Sequence, residues 1–174
     1  MAIRILAIWL LTACSLLSSA NAQQQELPIG VGDVITMDVH LEKDLFLRSR
    51  VDASGVVRFP LIGDMPVVGK TVKQLSDDLV LAYEDGYLVN PSIVVQIEVI
   101  RPFYVRGAVK NPGSYTFELG LTMEKAIAVA GGQTDRASDK NWIVIRGADK
   151  QRIKADADTP ILPGDIIEIP ESLF

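Results

Sequence analysis

The sequence predicts an α+β fold of two small domains, each a mostly antiparallel sheet with one helix. Three observations predict it. Val34 to Val39 and Ile93 to Val99 alternate apolar and polar residues at a period of two, as half-buried strands do. Stretches beginning at Thr71 and Thr122 instead place apolar residues at helical spacing, one in each half of the chain. Between the halves, Arg101-Pro102 breaks any ladder, because proline has no N–H to donate and restricts the residue before it.

The first strand, Val34 to Val39, points Ile35, Met37 and Val39 one way and starts from the turn Gly30-Val31-Gly32-Asp33. Arg50-Val51 and Val56-Val57 flank Asp52-Ala53-Ser54-Gly55, a pattern that predicts a hairpin with glycine at its tip. In the helix from Thr71 to Tyr83, Val72, Leu75, Leu79 and Ala82 share a face. Thr71 and Gln74 form a capping box at its start, and Gly86 ends it. The strand Ile93 to Val99 then puts Ile93, Val95, Ile97 and Val99 on one face. After the break come short strands at Phe103 to Val105 and Ser114 to Phe117 around Asn111-Pro112-Gly113. The second helix, from Thr122, buries Met123, Ala126, Ile127 and Ala130, and Gly131-Gly132 stops it in the left-handed region. Trp142 to Ile145 and Ile166 to Ile169 supply further strands. Two phrases recur: Gly32-Asp33-Val34-Ile35 echoes Gly164-Asp165-Ile166-Ile167, and Gly69-Lys70-Thr71-Val72 echoes Gly120-Leu121-Thr122-Met123. Two weak copies do not make a solenoid.

Length and composition narrow the function. A chain of 174 residues fits one domain or two small ones, and 48% apolar with 22% charged residues is ordinary for a globular protein. Its net charge of −5 disfavours nucleic acid, which calls for a basic face. With one Cys and one His, zinc clusters, disulfide frameworks and triads built on two such residues are excluded, and neither a metal nor a cofactor is expected. Met1 to Ala22 reads as an export signal: Arg4, an apolar run from Ile5 to Leu17, and the cleavage site Ala20-Asn21-Ala22. That run is too short for a permanent span, which needs about 20 apolar residues. Leu11-Thr12-Ala13-Cys14 offers the alternative of a lipid-modified Cys14, although the apolar run continues past it.

Catalytic patterns fail on inspection. Gly63 to Thr71 ends in Gly-Lys-Thr and opens a helix, as a phosphate-binding loop does. It has one residue too many between its outer glycines, an acid at Asp64 and a missing donor at Pro66. The acid pairs Asp77/Asp78, Glu84/Asp85 and Asp156/Asp158 suggest glycoside hydrolysis, but neighbouring residues on a helix point apart, so a solvated face is the expectation. His40 has no Ser or Cys partner in sight. What remains is binding chemistry in the second half: Arg106-Gly107, Asn111 to Tyr115 and Gly131-Gly132-Gln133 gather donors, an aromatic ring and bare backbone, suited to hydroxyl-rich ligands. The competing reading is that these glycines and prolines only turn the chain. Under the binding reading, Arg106, Asn111, Tyr115 and Gln133 face a ligand or a neighbouring subunit.

Taken in order, the phrases resemble the bacterial polysaccharide export family. They are Ile29-Gly30-Val31-Gly32-Asp33-Val34-Ile35, Val51-Asp52-Ala53-Ser54-Gly55, Phe59-Pro60-Leu61-Ile62-Gly63, Gly69-Lys70-Thr71 and Gly86-Tyr87-Leu88-Val89-Asn90-Pro91. The second half is similar to the soluble ligand-binding β-grasp (SLBB) module, through Val105-Arg106-Gly107-Ala108-Val109, Asn111-Pro112-Gly113-Ser114-Tyr115, Ala130-Gly131-Gly132 and Pro163-Gly164-Asp165. The resemblance implies a polysaccharide export domain at 23–100 and a β-grasp-like domain at 101–174. It further implies a non-enzymatic, homo-oligomeric export component in the periplasm, at or near the outer membrane. Polysaccharide, an inner-membrane co-polymerase and an outer-membrane pore protein are the implied partners. Ala108 departs from the family, which often has Glu there. The sequence stops at Phe174, after its last strand, so a short form without the family's C-terminal pore helix is expected. The alternatives are a free-standing periplasmic carbohydrate-binding protein and a polymer-trimming hydrolase or lyase.

Overall fold

The computed structural model describes residues 27–138 and 141–172. The expected export signal at 1–22 and Cys14 lie outside the described residues. In the first half, β1 (Val34–Val39) is the central strand of a three-stranded antiparallel sheet between β2 (Leu47–Arg50) and β5 (Ile93–Val99). Ile35, Met37 and Val39 point into the core, as the period of two requires. A separate ribbon pairs β3 (Val56–Phe59) with β4 (Gly63–Pro66). Helix α1 (Val72–Glu84) closes this half with Leu75, Leu79 and Tyr83 fully buried. Its capping box is formed as the sequence predicts: Gln74 N donates to Thr71 Oγ1 at 3.2 Å, and Thr71 N donates to Gln74 Oε1 at 2.9 Å. The buried Tyr83 satisfies its hydroxyl on the Pro60 carbonyl at 2.8 Å.

The hairpin predicted across Asp52–Gly55 does not form. The turn is real, with Gly55 at φ +72° and Ser54 N held by Asp52 Oδ1 at 2.8 Å. Its flanks, however, join different sheets: β2 pairs with β1, and β3 with β4. Val51 already exchanges backbone bonds with Gly32 and Asp33, and the Gly55 carbonyl accepts from Val67 and Val68, so no partners remain for a local ladder.

The second half is a five-stranded sheet ordered β7 (Gly113–Tyr115), β6 (Phe103–Gly107), β10 (Ile166–Ile169), β8 (Trp142–Arg146), β9 (Gln151–Ala155). Every pairing is antiparallel except β6 with β10, which are parallel. Helix α2 (Met123–Val129) packs Met123, Ala126 and Ile127 across one face, onto Phe103, Val105, Val144, Ile167 and Ile169. Thr122 caps it, as Thr71 caps α1, though more loosely at 3.5 Å from Lys125 N. The chain thus builds two cores, one from residues between Ile29 and Val95 and one from residues between Phe103 and Ile169.

The repeated Gly-Asp phrases build the same turn twice. Asp33 accepts from Gly30 N at 2.7 Å, and Asp165 accepts from Leu162 N at 2.8 Å. Both aspartates are 1% exposed, and each is clasped by an arginine, Asp33 by Arg101 Nη1 at 2.8 Å and Asp165 by Arg146 Nη2 at 2.7 Å. Pairing plus backbone donors offsets the cost of taking such carboxylates out of water. Arg101 also joins the halves: its own N–H donates to Asp33 Oδ1 at 2.7 Å, while its Nε donates to the Pro163 carbonyl at 3.1 Å.

Candidate functional site

The site is set by what β6 does at its end. Along β6, Phe103 and Val105 face α2, while Tyr104 and Arg106 face outward. Gly107 then turns the chain at φ +91°, where a Cβ would collide with the Ile169 carbonyl. Only glycine permits that approach. Past this kink, residues 108–111 zip against the segment that follows α2: Lys110 N donates to Gly132 O at 3.0 Å, Asn111 N to Ala130 O at 2.9 Å, and Thr134 N to Ala108 O at 3.0 Å. Gly131 and Gly132, at φ +83° and +86°, make the bend that lets α2 return to this segment. The Asn111 amide lies over Gly131, where a Cβ would leave it no room.

Five of the seven expected binding residues therefore meet at one end of the second half: Asn111, Tyr115, Gly131, Gly132 and Gln133. Asn111 is exposed. Tyr115 is half-buried, its ring stacked on Phe103 with centroids 5.7 Å apart and its hydroxyl donating to the Asn111 carbonyl at 2.5 Å. It is thus neither a free surface ring nor a fully buried core ring. Gln133 is half-buried, and its side-chain nitrogen is buried without a hydrogen-bond partner among the described residues. An orphaned buried amide costs free energy and is a group a ligand or partner could satisfy. Ala108, the departure from the resembled pattern, is 5% exposed and packs in the second core.

Arg106 parts company with this cluster. Its side chain lies on the open face of the sheet and pairs with Glu168, its neighbour on β10. Glu168 is also gripped by Arg152 Nη2 at 2.7 Å, so one carboxylate braces two guanidinium groups. The hydrogen bond from Arg152, and next that from Arg106, holds the Glu168 carboxyl below the usual carboxylate range. Sequence reading missed Tyr104, Arg152 and Glu168 as site candidates. Alternation within β6 carried the signal for Tyr104, but the meeting of Arg152 with Glu168 depends on a strand order no local pattern reveals.

The features set aside as non-catalytic take up structural places. Asp64 lies in β4 and pairs with Arg58, and Thr71 is a helix cap. Asp77 and Asp78 pair with Lys73 and Lys70, each at 2.7 Å, and His40 is exposed beyond β1. A groove of about 510 Å³ runs between α1 and β5 and reaches Leu27, Ile100 and Leu119, but its walls are mostly apolar. That lining suits polypeptide better than a hydroxyl-rich sugar.

Comparison with known proteins agrees with this two-part layout. Residues 21–98 match the family described as polysaccharide biosynthesis/export protein, and residues 102–154 match the SLBB domain. Over 84 residues the chain is 33% identical to the exopolysaccharide production protein ExoF of Rhizobium meliloti (strain 1021), a match covering 47% of this chain and 20% of that protein. Over 104 residues it is 28% identical to the EPS I polysaccharide export outer membrane protein EpsA of Ralstonia solanacearum, covering 58% of this chain and 27% of that protein. The matched region thus spans between a fifth and under a third of these relatives' length.

Proposed function

The chain belongs to the polysaccharide export family, and on that premise we propose that it is a component of a capsular or exopolysaccharide export machine that guides polymer without making or breaking a bond. The observation that carries this reading is the pair of family matches in tandem, an export domain followed by an SLBB domain, on a chain whose helix pair Asp77/Asp78 is engaged by lysines. In this reading residues 23–100 and 101–174 act as the two domains. The cluster of Asn111, Tyr115, Gly131, Gly132 and Gln133 meets the polymer or a neighbouring subunit, where the orphaned Gln133 amide finds a partner.

Assembly into a homo-oligomer is part of the proposal, supported by the apolar groove beside β5, whose cover would remove Val94 and Leu119 from water. The machine would place this component in the periplasm at the outer membrane, between an inner-membrane co-polymerase and an outer-membrane pore protein. EpsA carries the outer membrane in its name, and no described helix of this chain is long and apolar enough to cross a membrane.

Deleting the gene tests the function. The expected outcome is loss of surface polymer with polymer synthesis inside the cell intact; normal surface polymer of altered chain length or composition points instead to a modifying enzyme. Light scattering on the purified protein tests assembly. An oligomer supports the machine component, and a monomer that still binds polymer identifies a free-standing carbohydrate-binding protein.

A further inference from the structure

Two ladders of side chains cross the open face of the five-stranded sheet. One runs Tyr104, Ile166, Ile145, Arg152 and the other Arg106, Glu168, Ile143, Lys154, residue opposite residue over β6, β10, β8 and β9. Opposed residues share a face, so the pairing alone places all eight on the side away from α2. Isoleucines line the middle of this face, half-buried at Ile143 and Ile166 and 8% exposed at Ile145, an aromatic ring that is 46% exposed flanks them, and cations stand on β6 and β9. Three cations against one carboxylate make it locally basic on a chain whose net charge is −5.

The arginines are held but not used up. Arg106 and Arg152 remain 54% and 52% exposed. A guanidinium has five N–H donors. Glu168 takes two from each, so three on each stay without a protein partner among the described residues. Lys154, two residues along β9 from Arg152, borders with Asn141, Ile143 and Arg152 a hollow of about 290 Å³. That is close to the lower limit of ~300 Å³ for small-ligand pockets. Fixed guanidinium forks recognise carboxylate or phosphate oxygens in pairs, and an aromatic or aliphatic floor accepts the apolar face of a pyranose. From β6 to β9 the face spans three interstrand steps, about 14 Å, room for more than one sugar.

We infer that this sheet face binds anionic polysaccharide, a polymer carrying carboxylate or phosphate groups, through Arg106, Arg152 and Lys154 over the Tyr104 and isoleucine floor. The inference rests on the export reading and adds the charge of the cargo to it. Glu168 is a positioning residue that pre-orders the two guanidinium groups, so fewer rotamers are lost when the polymer arrives.

Calorimetric titration of the intact protein with oligogalacturonate, beside neutral dextran oligomers of similar length, tests it. Oligogalacturonate is expected to bind and to weaken as salt rises, whereas dextran does not bind. Arg152→Ala and Lys154→Ala are each expected to weaken binding about fivefold. The Glu168→Gln variant keeps all three cations, loosens the two guanidinium groups and removes the one carboxylate that repels a polyanion. Pre-ordering by Glu168 predicts weaker binding in spite of that removed repulsion, with the fold checked by circular dichroism, and tighter binding overturns its positioning role. Equal binding of dextran, or unchanged affinity in Arg152→Ala, overturns the inference. So does loss of oligomerisation by light scattering in Arg152→Ala and Lys154→Ala without any oligogalacturonate binding by the wild type, which makes the face a protein interface. A gene deletion that blocks export while oligogalacturonate fails to bind sinks the inference alone; normal export after deletion sinks the export reading itself.

Discussion

At the scale of single residues, Glu168 couples the sheet face to pH. Its folded-state pKa lies below the ordinary carboxylate value because Arg152 and Arg106 donate to the ionised form. A carboxyl whose pKa is lowered this way stabilises the fold fully above its unfolded value, about 4.3, and that contribution is lost as pH falls through the folded value. Following the Glu168 carboxyl by NMR, we expect its titration midpoint to lie below that of an unperturbed glutamate and to rise towards it in Arg152→Ala. An unmoved midpoint would mean that the pair is open in solution. Much of the candidate site was readable one residue at a time: Gly107, Gly131 and Gly132 were picked out as bare backbone, and each does adopt positive φ. The direction of Arg106 was not readable, because its partner Glu168 lies 62 positions away and meets it only through β10.

At the scale of elements, helix boundaries follow from caps, and the two caps differ in strength. Thr71 exchanges hydrogen bonds with Gln74 in both directions, whereas Thr122 accepts a single long bond and has Lys125 in place of a reciprocating side chain. Thr71→Ala is expected to cost about 1 kcal/mol in urea unfolding, and Thr122→Ala well under half of that. Equal losses would argue that tertiary packing, and not the cap, fixes where α1 begins. Both helices were legible because their signals are local: a cap, a stripe at 3.6 spacing and a closing glycine. Strands β4 and β9 were not. β4 is four residues with Pro66 at its end and reads as a loop, and β9, Gln151–Ala155, has four exposed residues and so lacks a buried stripe. The predicted hairpin at Asp52 failed for the same reason as Arg106. Turn chemistry says where a chain reverses, but partners for its flanks are settled by segments far away.

At the scale of the whole molecule, Arg101 links the two cores through Asp33 on one side and Pro163 on the other, beside Leu27 and Ile100, which pack against the second core. Truncating Arg101 leaves the buried Asp33 carboxylate without its counter-charge, a loss on the order of 3–5 kcal/mol for buried pairs. Differential scanning calorimetry is therefore expected to show one transition for the wild type and two for Arg101→Ala; a single, equally sharp transition at lower temperature in the variant would show that the halves are coupled elsewhere. The sheet order of the second half bears on something else, the timing of folding. All strands of the first half lie between Val34 and Val99, so that core closes as soon as its own residues are together. The second has β10, its final strand, inserted between β6 and β8. Until Ile166 to Ile169 arrive, β6 and β8 face each other across an empty slot with unpaired edges. A polypeptide threaded through a membrane amino end first would emerge with its first half folded and its second half waiting, unable to mature, and open to chaperones or proteases, until the last strand is through.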